Sequence, residues 1–319
     1  MYPLEVFALK ENLTSALVIE WRVRQHRCFD RNAAKQVGGG LYIIKGWQIL
    51  QRRCSSGCGW TRTFVVLSGT GTDLRGHVMA TIWEKLVGVN IVNHSANALE
   101  IETGAAPVFS IIWLHGLGAD ARDFEDLPRM LSLPQGLPIR FILPNAPERP
   151  ITLNGGMVMR GWYDLTGLEI IKQEDIQGLA EARDIVDALV EREGDRGIPR
   201  SRIVVGGFSQ GGAVSLHYGL QCAEPIGGIV GLSTYLPMSE RFGETKSPAA
   251  LATPIFLAHG LFDPVLMLAL GEASRQVLTD HGCDITWHTY PMPHTVVPEE
   301  IKDLSNWFSA KIWPTGVSS

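Results

Sequence analysis

The chain has 319 residues, 45% of them hydrophobic and 19% charged, enough apolar content for a large buried core and too much for a disordered chain. Its net charge of −5 gives no reason to expect nucleic acid or an anionic membrane as partner. There is no apolar run of about 18 residues to cross a membrane. Nor does the N-terminus carry a basic start, apolar core and small-residue cleavage site, so cytoplasmic residence is the expectation.

The charge is unevenly placed. Residues 1–78 hold eleven basic and five acidic side chains, a balance of +6, which leaves −11 on the remainder. This first part reads as a poorly patterned N-terminal extension, disordered or not native, and residues 79–319 as the main domain. Within the extension, Ala16 to Val23 suits a short strand or a helical turn and Leu41 to Leu50 is mildly β-like, but no amphipathic period persists. The expectation is that Met79 begins the working protein and that the extension is dispensable. His26, Cys28, Cys54 and Cys58 fit no standard zinc spacing, so no metal is expected. Five cysteines without regular spacing are not a disulfide framework and suit a reducing compartment.

From about residue 85 apolar runs alternate with helical periods. Val108 to Leu114 and Ile139 to Leu143 read as buried parallel strands. Asp175 opens a helix with Ile176, Leu179, Val186, Leu189 and Val190 on one face. A strand at Ile203 to Val205, a helix at Gln210 to Leu220, and strands at Ile226 to Leu232 and Pro254 to Ala258 follow. The spacing then predicts a helix over Val265 to Thr279, a strand over Ile285 to Tyr290 and a last helix entered at Pro298. Such alternation argues for an α/β fold, a mostly parallel sheet with helices on both faces and its sites at the strand carboxyl ends.

Gly207-Phe208-Ser209-Gln210-Gly211 lies between a strand and a helix, the context in which a G-x-S-x-G serine is a nucleophile. A helix N-capping serine in a glycine-rich turn is the plainer alternative. The backbone N–H of Gln210, at the helix start, can face a developing oxyanion. A serine hydroxyl needs a base. Of the histidines that follow, only His294, in the loop after the last strand, can reach across the strand ends. Asp263 suits the carboxylate that orients the imidazole, and before Pro264 it also suits a helix N-cap. His115-Gly116-Leu117-Gly118 follows an early strand and offers the N–H of Leu117 as a second oxyanion donor. Trp162 and Met159 either line an acyl site or belong to a packed surface hairpin.

The segments HGLGAD at 115–120, PNAPERPITLNGGMVMRGWYD at 144–164, GFSQGG at 207–212, HGLFDPV at 259–265 and MPHTVVPEEI at 292–301 resemble the bacterial carboxylesterase / acyl-protein thioesterase family, the phospholipase–carboxylesterase group of the α/β-hydrolase fold. The likeness spans about residues 90–312; residues 1–78 have no counterpart. It implies a serine esterase without a cofactor and without a large lid domain. It implies Ser209, Asp263 and His294 as catalytic triad, with Leu117 and Gln210 as oxyanion donors. Gly161 and Thr295 depart from the pattern, standing where alanine and serine are usual.

The expected function is a carboxylesterase acting on short-to-medium acyl esters through an acyl-enzyme. Hydrolysis of long-chain protein thioesters or lysophospholipids is the alternative, and a non-catalytic hydrolase-fold binding protein a distant third. The expected partner is a small-molecule ester, with the protein a monomer or homodimer. Without a lid-sized insertion before Asp263, the pocket is expected to be open and shallow and to favour short chains. Activity is expected to fall on the acid side as His294 protonates.

Overall fold

Ile111, Ile112, Trp113 and Leu114 follow one another in a strand buried on both faces, as an apolar run in a parallel sheet must be. That strand lies near the middle of an eight-stranded sheet in a computed structural model of the chain. The structure describes residues 98–167 and 174–313 with their side chains, and the backbone of strands within residues 5–68 and 90–95. It divides into two compact units, Met1–Met79 and Ala80–Ser319.

In the first unit the strands are antiparallel. Their order is Glu5–Val6, Ala16–Arg24, Trp60–Ser68, Trp47–Ser56, Leu41–Ile44, with Lys10–Asn12 pairing to Ala16–Arg24. The sequence reading missed Trp60–Ser68 altogether and ran Leu41–Ile44 together with the strand that begins at Trp47. Arginines interleaved with the β-branched and aromatic residues hide the alternation there.

In the second unit we number the strands β1 (Asn90–Ser95), β2 (Ala98–Glu102), β3 (Phe109–Leu114), β4 (Ile139–Pro144), β5 (Glu148–Ile151), β6 (Met157–Arg160), β7 (Ile203–Phe208), β8 (Gly228–Leu232), β9 (Ile255–Gly260) and β10 (Ile285–Tyr290). The main helices are α1 (Ile176–Asp195), α2 (Gln210–Gly219), α3 (Leu268–Asp280) and α4 (Pro298–Trp307). The sheet order is β10-β9-β8-β7-β3-β4-β2-β1, parallel from β10 to β4 and antiparallel at β2 and β1. Hairpin β5–β6 stands apart.

Alternation along each strand divides the core between the two faces. Ile112, Leu114, Ile203 and Val205 join Leu179, Val186, Val190, Ala213 and Leu278 from α1, α2 and α3. Ile111, Trp113, Val204 and Phe256 join Ile301, Leu304 and Trp307 from α4. The α/β-hydrolase architecture is therefore a sheet covered on both sides, with all parallel strands ending on one edge.

One helix start differs from the sequence reading. The helix expected from Val265 begins at Leu268. The Asp263 carboxylate takes the N–H groups of Val265 and Leu266 into a separate turn, and Met267 is extended. Asp175, by contrast, caps α1 as expected, accepting from the Gly178 N–H at 2.9 Å.

Candidate active site

Between β7 and α2 the backbone turns sharply at Ser209, with φ 56° and ψ −120°. A side chain rarely takes this conformation, and neighbouring contacts must hold it there. The Ser209 N–H donates to the Leu232 carbonyl at 2.9 Å, and the Thr234 hydroxyl donates to the Ser209 carbonyl at 2.8 Å. The glycines on either side leave room for so tight a turn. A Cβ on Gly207 would lie 2.5 Å from the Gly211 carbonyl carbon, and one on Gly211 would run into the Leu114 carbonyl. The serine hydroxyl thus stands clear of the sheet at the end of β7.

His294 follows β10 and Asp263 follows β9. The two loops are tied together by the Leu261 N–H on the Tyr290 carbonyl at 2.8 Å and the Phe262 N–H on the Met292 carbonyl at 3.1 Å. A side chain at Gly260 would strike the Met292 carbonyl, so the loops lie in direct contact. His294 Nε2 lies 2.9 Å from Ser209 Oγ, and its Nδ1 lies 2.7 Å from Asp263 Oδ2. With the proton on Nδ1 directed at the carboxylate, Nε2 is left to accept from the serine. The other oxygen of Asp263 accepts from the N–H groups of Val265 and Leu266, both at 2.9 Å, and its side chain is buried. Phe208 packs on the His294 ring, centroids 4.7 Å apart.

One further histidine belongs to this neighbourhood, though its place at a strand end did not suggest it. His259 is buried, donates from Nε2 to the Leu266 carbonyl at 2.8 Å and lies 3.7 Å from Asp263 Oδ2. Burial holds its pKa below the ordinary imidazole value, outweighing the Leu266 and Asp263 contacts, so it backs the Asp263 turn as a neutral ring.

Among the described residues, the Leu117 N–H has no acceptor, while its neighbours Gly118 and Ala119 donate to the Arg160 and Gly116 carbonyls. Gln210 is the first residue of α2, so its N–H has no intrahelical acceptor. Leu117 lines a groove together with Ser209, and Gln210 is the next residue in the chain. The groove, of about 610 Å³, runs along Leu117, Phe124, Leu127, Met130, Val296 and Ile301. Its volume is larger than an acetyl group needs, and it is open to solvent as expected.

Trp162 and Met159 do not line this groove. Trp162 is 0% exposed, hydrogen bonded behind the site, so direct contact with an acyl chain is corrected. Met159 lies in β6, half-buried, its sulfur beside Gly118; the segment contains the hairpin that was the alternative reading. Among the described residues no three His, Cys, Asp or Glu side chains gather as metal ligands. His26, Cys28, Cys54, Cys58 and Met79 lie outside the residues whose side chains are described. No helix among the described residues is long and apolar enough to cross a membrane.

Residues 96–312 match the phospholipase/carboxylesterase family. An acyl-protein thioesterase 1 from Mycosarcoma maydis is 39% identical over 227 residues, covering 66% of this chain and 94% of the relative. The acyl-protein thioesterase 1 of Yarrowia lipolytica is 37% identical over 220 residues, with 67% and 97% covered. Among solved structures, acyl-protein thioesterase 2 of Zea mays superposes with a TM-score of 0.59 at 28% identity, covering 70% of this chain and 99% of that one. These relatives are eukaryotic, so the bacterial qualifier drawn from the motifs does not hold. By the extent of the match and the identity of its relatives, the chain belongs to the phospholipase/carboxylesterase family of α/β-hydrolases and is a carboxylic-ester hydrolase.

Proposed function

We propose that the protein is a thioesterase that removes acyl chains from protein cysteines, using Ser209, His294 and Asp263 as its triad. The observation that carries this reading is the unbroken line of hydrogen bonds from Asp263 through His294 to Ser209, 2.7 and 2.9 Å long, ending at an apolar groove. The relatives named acyl-protein thioesterase favour the thioester over the short oxygen ester.

In this reading the acyl chain lies along Leu127, Met130 and Ile301 with its carbonyl at Ser209. Ser209 Oγ attacks the carbonyl carbon while His294 Nε2 takes the hydroxyl proton, and Asp263 stabilises the resulting imidazolium. The negative charge that develops on the carbonyl oxygen receives hydrogen bonds from the N–H groups of Leu117 and Gln210. The carbon–sulfur bond breaks, and the leaving sulfur takes the proton from His294. Water then attacks the acyl-Ser209 ester with His294 as base, releasing the fatty acid and restoring the serine.

The test is kcat/KM on matched S-acyl and O-acyl peptides, from acetyl to palmitoyl. The expected result is a rise with chain length and a preference for the thioester. A maximum at acetyl or butyryl on the oxygen ester would return the short-chain carboxylesterase reading.

A further inference from the structure

We propose that Trp162 is a positioning residue that, with Gln210 and His115, joins the two oxyanion donors through one buried hydrogen-bonded bridge. The inference rests on the assignment of Ser209 as nucleophile and of Leu117 and Gln210 as donors. It assigns Trp162 no contact with substrate.

The bridge starts at Gln210, whose backbone N–H is one donor. Its side-chain amide clamps the segment after β6. Oε1 accepts from the Trp162 N–H at 2.8 Å, and Nε2 donates to the Tyr163 carbonyl at 2.7 Å. The Trp162 indole N–H then donates to the His115 carbonyl at 2.9 Å, and the two rings lie 5.3 Å apart.

His115 completes the connection. Its Nε2 accepts from the Ala146 N–H at 3.0 Å, so the neutral ring carries its proton on Nδ1 and donates to the Gly116 carbonyl at 2.7 Å. Burial holds the ring below the ordinary imidazole pKa and so keeps that tautomer neutral. The Gly116 carbonyl and the Leu117 N–H are the two sides of one planar trans peptide. Holding the carbonyl toward His115 therefore aims the Leu117 N–H the opposite way, toward the groove that Gly116 and Leu117 line.

Water cannot replace these contacts, because Trp162, His115 and Gln210 are 0%, 1% and 4% exposed. Nor is a paired indole routine here. The indole N–H groups of Trp113, Trp307 and Trp313 are buried with no acceptor among the described residues. Core filling alone would leave Trp162 like those three and exchangeable for phenylalanine. An oxyanion hole needs two donors at a set separation, and small displacements at such a site cost large factors in rate.

The test uses the full chain and p-nitrophenyl octanoate, with Trp162→Phe and Gln210→Met alone and together. Each leaves the backbone donors in place and breaks one link. We expect each to lower kcat by about tenfold with KM within about twofold, since only the transition state carries the oxyanion. The double variant should lose less than the product of the two, because both break the same bridge. The acid limb of the pH profile should stay in place, since the His294–Asp263 contact is untouched. Wild-type kcat in folded Trp162→Phe, a loss carried by KM, or a displaced acid limb would each overturn the inference. Should Trp162→Phe not fold, Gln210→Met decides by the same criteria. Ser209→Ala is run beside them. Activity retained there would sink the nucleophile assignment itself, whereas a dead Ser209→Ala with unaffected Trp162→Phe would sink only the bridge.

Discussion

At the carboxyl ends of the strands, Ser209, His294 and Asp263 form a hydrogen-bonded line that ends at an open groove. Toward the outer edge of the same sheet, polar groups are buried to a different end. Arg140 on β4 pairs with Glu102 on β2 at 2.9 Å and with Glu193 on α1 at 2.7 Å. Arg196 reaches Glu193 at 2.9 Å and Glu100 at 3.0 Å, and Arg192 reaches Glu100 at 2.8 Å. Three arginines meet three glutamates, and every charge in this cluster has a partner within it. At the groove, in the proposed reading, the N–H groups of Leu117 and Gln210 and the Ser209 hydroxyl instead take their partner from the substrate. Both regions obey the rule that buried polar groups need partners. A site differs from a rivet in having partners that come from outside.

The comparison is tested most severely at Ser209. Ser209→Ala should lower kcat by at least about 10³-fold while leaving the urea midpoint nearly unchanged, because the hydroxyl contributes to chemistry and little to packing. Full activity in that variant would mean that the line of hydrogen bonds is only structural.

The edge cluster should give the reverse. Glu193→Ala strips a fully buried carboxylate from between Arg140 and Arg196. It should cost about 3 kcal/mol in denaturant unfolding, as broken buried ion pairs do. The kcat of the folded fraction should stay at the wild-type value. A large kcat loss at unchanged stability would show that the edge is coupled to the site.

Glu300 sharpens the contrast, being buried with neither kind of partner. It is 0% exposed, and neither carboxyl oxygen has a hydrogen bond among the described residues. Burial, opposed only by the nearby Val297 backbone, pushes its pKa up from 4.5 to about 8. Below pH 4.5 both states hold the proton and stability is undiminished. Between 4.5 and about 8 the unfolded chain releases it while the folded chain keeps it, so stability falls as pH rises. Glu300→Gln should therefore raise Tm by several degrees at pH about 8, with the gain vanishing toward pH about 4.5. An equal gain at both pH values would refute the buried acid.

The smallest effect is expected in the groove wall. Met130→Ala leaves every hydrogen bond of the site intact and removes apolar surface from the wall. It should lower kcat/KM for palmitoyl substrates by about fourfold, in line with about 0.8 kcal/mol for one methylene group of the acyl chain left uncovered, and for acetyl hardly at all. An equal fall on both would place Met130 outside the acyl path.

Much of this fold is legible because parallel strands are buried on both faces and so stand out as unbroken apolar runs. β3, β4 and β7 are extended or trimmed by only a few residues, and the partly buried edge strand β10 also has the expected bounds, Ile285–Tyr290. The antiparallel strands β1, β2, β5 and β6 escaped, since they mix polar and apolar residues and their pairing depends on neighbours. Asp263 was ambiguous between a cap and a triad acid. It serves a turn with one oxygen and His294 with the other, and residue identity cannot choose between them. Trp162 was misread for a related reason. A tryptophan beside a glycine-rich segment suits a pocket wall as well as a core, and only its burial and its indole contact with His115 separate the two.

The sequence by itself determined the parallel α/β order, the glycine-flanked serine and the chain order of serine, aspartate and histidine. These are local properties: apolar run length, the space a Cβ needs in a tight turn, and loops that follow strands. The tertiary structure alone decided which side chains meet. Ser209 and His294 are 85 residues apart in the chain, Arg196 and Glu100 are 96 apart, and Gln210 and Trp162 are 48 apart. The order of the strands brings such residues together, and hydrogen bonds with ranges near 3 Å cannot be read from residue identity before the sheet exists.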